Sequence, residues 1–405
     1  MARKPIDPNR ETEALQETGY DAAFEGLAGS VDRQVSQLLQ EVDGAAALLL
    51  EVLGTPEPDR RVLLENGVRF HSLQLCKLLE ARSREAGFED PARAVRLAEL
   101  AVLAAERLDE THYGTALVED ARASAWAYLG NALRIASDHR QAEEALQSAR
   151  EHNNQGGDAY TEALILSFEA SLRNAQGKYD SAAKLLDDAI AIYRDARDAH
   201  QEGTALIKKG IARGYASRPE EAIRLIRRGL RKIDLVREPR LLVAARHNLT
   251  LFLTESGHHQ QALKSIAETR RLYLDLGERM NLIRLRWLEG KVARELGDPE
   301  ASEAALREAM EAFLADHVGI DAALVALDLA IIHTQRNETG ALKELAAELI
   351  PIFEWGELHE GALAALLLFR QAAEAEEVTP ALLQQVTAGL RPAQDNLDLR
   401  FRTGS

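Results

Sequence analysis

Counting forward from Gly130 in steps of 40 residues lands on Ala170, Gly210, Thr250, Gly290 and Ala330. The same steps from Ala142 land on Ala182, Ala222, Ala262, Ser302 and Leu342. All but Leu342 are Gly, Ala, Ser or Thr, and the two small residues of each unit are twelve apart. Such a period marks a repeat array, in which each unit buries its apolar face only against its neighbours. Small residues at both points let two antiparallel helices approach closely, whereas a larger side chain drives their axes apart. Leu342 breaks the pattern, so the sixth unit is expected to be splayed or repacked.

The punctuation falls in the same register. Gly177, Gly257 and Gly297 lie between the paired small residues, with Ser137, Ser217 and Asn337 at the matching points of the other units. Gly and Asn suit the left-handed residue that ends a helix. Pro91, Pro219, Pro239, Pro299 and Pro380 stand where helices should begin, since the first helical turn has no use for their missing amide donor. Between these marks the period is that of a helix. Leu185, Leu186, Ala189, Ile190 and Tyr193 share one face, against Asp187, Asp188, Arg194 and Asp195.

One unit reads W-x2-L-G-x2-L (Trp126, Leu129, Gly130, Leu133), followed by Ala142, Leu146 and Ala149. It resembles the tetratricopeptide (TPR) repeat, with leucine where an aromatic is more usual. The resemblance covers about residues 70–391, including an earlier, less regular unit around Phe88–Ala94, after which a loop, Asp109–Glu119, is inserted. The family repeat is about 34 residues, and here it is 40. Longer repeats of this kind resemble those of TPR sensor domains in bacterial transcription activators and peptide-pheromone receptors. The resemblance implies an all-α fold, a right-handed superhelical α-solenoid of antiparallel helix hairpins. It also implies that first helices line a concave groove and second helices face outward.

The expected organisation has three parts. Residues 1–60 hold a polar segment (1–30) and an amphipathic helix at 31–53 (Val31, Val35, Leu38, Leu39, Val42, Leu49, Leu53), bent at Gly44. That helix either caps the apolar end of the array, as a solenoid requires, or docks another subunit. Residues 61–391 form the array, of about seven hairpins, closed by helices near 357–376 and 380–390. Residues 392–405 are a tail.

Composition narrows the function. The formal charge of −16 disfavours phosphate backbones and anionic lipid as general partners. No recognisable helix-turn-helix unit precedes the array. The one cysteine, Cys76, excludes an internal disulfide and a multi-cysteine zinc site. The first residues lack the apolar core of a secretory signal, and the most apolar run, 45–53, is far below the ~20 residues that span a bilayer. A cytoplasmic location is expected.

Chemistry is sparse. No phosphate-binding loop, zinc-protease helix or nucleophile elbow occurs. His71 precedes Cys76 by five residues, which does not bring the two side chains together on one helix. His258 and His259 sit in a turn without a third ligand at helical spacing. The chain is read as no enzyme, with no cofactor and no metal site.

The charge is unevenly spread. Residues 201–250 carry twelve Lys or Arg against five Asp or Glu, so this segment is +7 within a −23 remainder. Arg224, Arg228, Arg231 and Lys232 form a stripe on a second helix, where they are either solvated or paired with acidic neighbours. Polar residues of first helices are the ligand candidates: Asn131, Arg134, Asn174, Lys208, His247, Asn248, Arg284, Trp287, Lys291 and Arg294, with Ser171 beside them and Arg286 nearby. Asn at such positions can grip an extended peptide backbone through paired donor and acceptor. Arg and Lys would favour carboxylates or phosphates. Trp287 is either buried between hairpins or offered to a ligand.

The sequence thus points to a non-catalytic scaffold that binds a peptide or partner segment, acidic in character, in its groove. The alternative is a ligand- or peptide-responsive sensor that regulates a partner. Nucleic acid and membrane are disfavoured, and the terminal helices leave homo-oligomerisation open.

Overall fold

The computed structural model describes residues 41–390 except 43, 88–89, 235–237, 277–278 and 355–359. The expectations for residues 1–30, for the start of the 31–53 helix and for the 392–405 tail lie outside the described residues.

Helix α1 covers 41–42 and 44–54 among the described residues. After it come α2 (Glu57–Asn66), a 3₁₀ turn (Val68–Phe70), α3 (Leu73–Ala86), α4 (Pro91–Glu106) and the short α5 (Glu110–Tyr113). The middle of the chain holds α6 (Thr115–Ile135), α7 (His139–Gly156), α8 (Ala159–Ala175), α9 (Tyr179–Asp195), α10 (Ala199–Tyr215) and α11 (Pro219–Leu230). Then follow α12 (Pro239–Glu255), α13 (His259–Leu276), α14 (Arg279–Glu295), α15 (Pro299–Ala315), α16 (Gly319–Gln335) and α17 (Thr339–Glu348). The chain closes with α18 (Ile350–Glu354), α19 (Glu360–Glu374) and α20 (Pro380–Leu390). No strand occurs among the described residues. The five prolines all stand at a first helical residue.

Consecutive helices pack as antiparallel hairpins, from α3/α4 through α6/α7 to α16/α17. The small residues set their spacing. A Cβ on Gly130 would stand 2.7 Å from Leu146, one on Gly210 2.7 Å from Ile226, and one on Gly290 2.7 Å from Leu306. Where the small residue is polar, it bonds across the hairpin: Ser302 Oγ donates to the Gly290 carbonyl (2.8 Å), and Thr250 shares a hydrogen bond with Ser265 (2.6 Å).

The turns repeat with the same period. Ser137, Gly177, Ser217, Gly257, Gly297 and Asn337 all have φ between 58° and 81°, the left-handed region. A second set closes the other turn of the unit, with Gly157, Arg197 and His317 at positive φ. Helices then restart on Asp138, Asp158, Asp198 and Asp298, whose carboxylates each accept from the amide three residues on.

One expectation changes. Asp109–Glu119 is not a loop: Asp109 caps α5, Gly114 breaks it at φ 83°, and Thr115 starts the 21-residue α6. The hairpin of Leu342 is loosely joined, because α17 has only ten residues and touches α16 less than other partners touch. Its place is taken by the last pair: α19 lies on α17, and α20 lies directly on α16. Helix α16 is therefore enclosed on nearly every side, with buried residues all round its circumference. At the other end, Leu49 and Val52 of α1 join the apolar cluster of the first hairpins, while Glu41 accepts from Ser72 and Tyr113.

First helices α6, α8, α10, α12 and α14 pack on one another in sequence, whereas the second helices are set further apart. Closer spacing on one side bends a stack towards that side, so the first helices form the inner layer.

Candidate functional site

The 40-residue register places Tyr128, Phe168, Lys208, Asn248, Leu288 and Asp328 at one point on successive inner helices. Contacts join the first three. Tyr128 and Phe168 meet edge to face at 5.3 Å, and Lys208 Nζ stands 5.7 Å above the Phe168 ring while donating to Ser171 Oγ (3.4 Å). Tyr215 OH donates to Asn248 Oδ1 at 3.3 Å.

The inner layer turns ionic at α14. Asp328 of α16 accepts from Trp287 Nε1 (2.7 Å), Lys291 Nζ (3.2 Å) and Arg294 Nη1 (3.0 Å). Burial works to raise the Asp328 pKa, but the Lys291 and Arg294 cations and the indole donor outweigh it and hold the carboxyl below its ordinary range. One turn towards the start of α14, Arg284 Nη2 donates to Asp321 Oδ2 at 3.1 Å, with both side chains buried. Trp287 is packed between hairpins, edge-on to Phe313 at 6.1 Å, with Lys291 Nζ 5.7 Å from its ring. The α14–α16 step is thus held by side chains, where earlier inner helices pack directly.

The ten predicted residues divide by depth. Asn131 and Arg134 are buried and bonded to each other, guanidinium to amide oxygen at 3.0 Å. Asn174 is buried, and Asn248 is wholly enclosed (0% exposed), its amide donating to the Ala244 carbonyl. His247 is buried against Tyr273 OH at 3.0 Å; burial, reinforced by Arg284 and Lys291, pushes its pKa down to about 3, so it is neutral. The expected grip of Asn248 on a peptide backbone is therefore corrected: its polar atoms serve the interior. Lys208, Lys291 and Arg294 are half-buried. Arg286 points away and pairs with Glu308 and Glu289.

Sequence reasoning missed the acidic partners. Asp328 lies one repeat beyond Leu288, so the register alone sets it beside Trp287. Many cations of the 201–250 segment are also neutralised. Arg228 and Lys232 converge with Arg194 on buried Glu202, Arg213 reaches Asp180 and Glu221, and Lys209 pairs with Asp187. Among the described residues no group of three or more His, Cys, Asp or Glu is placed to hold a metal ion. No described helix is long and apolar enough to cross a membrane.

No protein-family model matches the chain, and no curated protein matches it in sequence. Solved structures match it in fold. One is a Rap protein complexed with competence and sporulation factor: 13% identity, TM-score 0.61, with 80% of this chain and 88% of that chain covered. Another is aspartyl phosphate phosphatase F from Bacillus subtilis: 13% identity, TM-score 0.53, with 95% and 96% covered. The chain is similar in fold to these proteins, an all-α solenoid of paired helices.

Proposed function

We propose that the chain is a non-catalytic interaction scaffold, acting in the cytoplasm, whose inner layer takes an acidic peptide or partner segment. The observation that carries this is the charge at the α14–α16 step. Lys291 and Arg294 share Asp328 on a half-buried shelf, and Arg294 also donates to Glu295 Oε1 (3.0 Å). Lys291 is the cation of this step best placed to take a further carboxylate, and charge-assisted hydrogen bonds are roughly twice as strong as neutral ones. Lys208 extends the same track towards α10. The deeper residues Asn131, Arg134, Asn174, His247, Asn248, Arg284 and Trp287 set the shape and spacing of that surface. The Rap structure of like fold was solved with a factor in complex, which supports a partner-binding use of such an array.

The test pairs Lys208→Glu with Lys291→Gln, leaving Arg294 and Trp287 to hold Asp328. Helicity by circular dichroism should be unchanged, and partners captured by the wild-type chain from its host lysate should be lost. Equal capture by the variant would contradict the reading. Arg284 is left intact, because reversing a buried partner of Asp321 would damage the fold itself.

A second reading, a ligand- or peptide-responsive regulatory module, draws on the same step. Inner helices joined by side chains can shift when a ligand competes for their cations. Solution scattering separates the two: a sensor's radius of gyration contracts or expands on partner addition beyond the added mass, whereas a passive scaffold keeps its pitch.

A further inference from the structure

The layer of second helices holds a cleft of different chemistry. It lies between α11 and α13, over α12, and measures about 440 Å³. Its origin is the short α11, twelve residues against seventeen in α9 and eighteen in α13. Gly229 near the end of α11 lies so close to Gly203 of α10 that a Cβ would stand 2.6 Å from the Gly203 carbonyl oxygen. The end of α11 is thereby drawn onto α10.

Four cations line the cleft, Arg227, Arg231, Arg246 and Lys264, against one carboxylate, Glu268. Glu268 is shared at long range, 3.5 Å from Arg246 and 3.8 Å from Lys264. Arg227 donates to the neutral amide oxygen of Gln261 (2.8 Å). Arg231 is exposed, with no carboxylate in ion-pair range among the described residues, and Arg246 Nε is buried with no hydrogen-bond partner there. Beneath the cations lie Leu230, Leu249 and Leu253.

We propose that this cleft is a second docking site, separate from the inner layer, for an acidic segment of a partner protein that also carries an apolar side chain. Its carboxylates would meet Arg231, Arg246 and Lys264, and the apolar side chain would rest on the leucines. Charge complementarity carries the choice of occupant: a surplus of three cations sits in a chain of net charge −16. No aromatic side chain lines the cleft, so single-stranded nucleic acid finds no stacking platform. A concave pocket this small also presents no face to a bilayer.

Arg231→Glu with Lys264→Glu tests it, since both side chains are exposed and folding should be unaffected. Fluorescence anisotropy would compare a labelled peptide of repeated Glu-Glu-Leu with its Glu-Glu-Ser counterpart and a labelled DNA duplex; sedimentation would assay phosphatidylserine vesicles. The wild-type chain should bind the leucine peptide best. Measured in the background of Lys208→Glu with Lys291→Gln, so that the inner layer does not take the same acidic peptide, the double reversal should weaken that binding by about tenfold or more. Absence of peptide binding, binding that survives the reversal, or preference for the duplex or the vesicles would overturn the proposal.

Discussion

Two buried carboxylates have opposite consequences for stability. Glu80 on α3 is pushed up to about 8 by burial, against a hydrogen bond from Ser124 and the Lys77 cation. A carboxyl raised in the folded state favours folding fully below its ordinary value, and that contribution is lost as pH rises through about 8. Glu80→Gln should therefore flatten the stability profile between the ordinary carboxyl value and about 8 and gain on the order of a few kcal/mol above pH 8, measured by urea titration across pH. Asp328 is held low, so its contribution is present above the ordinary carboxyl value and disappears as pH falls through the depressed one. Asp328→Asn should cost about 3 kcal/mol at neutral pH, with a difference from wild type that shrinks in acid. A pH-independent loss would mean that packing, not charge, is what Asp328 supplies.

Within each hairpin the 40-residue register controls both spacing and turn. Gly210→Val, which forces a branched side chain against Ile226, should lower stability by about 2–3 kcal/mol. Ser217→Gly relieves a non-glycine residue at φ 61° and should add up to about 1 kcal/mol, while Gly257→Ala should cost about the same. Thermal unfolding of the three variants checks the set. The sequence displays this level well, because small residues, prolines and turn residues act locally and recur at fixed offsets. It displays the site poorly. The cation-rich helix 284–294 stands out in one dimension, but its acidic partners Asp321 and Asp328 come from the next repeat and become visible only when repeats are overlaid. Depth was equally hidden: His247 and Asn248 read as polar groove residues, and the close packing of α12 against α10 and α14 places them inside. Positive φ at Arg197 and His317 had no local signal at all, since neither residue type marks a left-handed turn.

Over the whole molecule, the hairpins stack into one bent array with a cationic stretch on the inner layer and a second cationic cleft on the outer one, inside a chain of net charge −16. On the proposed reading, excess acidic charge elsewhere repels bulk polyanions, while the two cationic sites attract short acidic segments. Binding on the inner layer should weaken as salt rises, because the attraction of its partly exposed cations for an incoming carboxylate is screened over a Debye length of about 8 Å at physiological ionic strength. The central claim is that a partner lies along the first helices. It is tested most directly by photo-crosslinking in host cells, with a crosslinking residue in place of Lys208 on inner helix α10 or of Asp188 on outer helix α9. The account predicts a discrete crosslinked partner from position 208, rich in Asp and Glu at the crosslinked segment, and none from position 188. The same partner from both positions, or from position 188 alone, would contradict it.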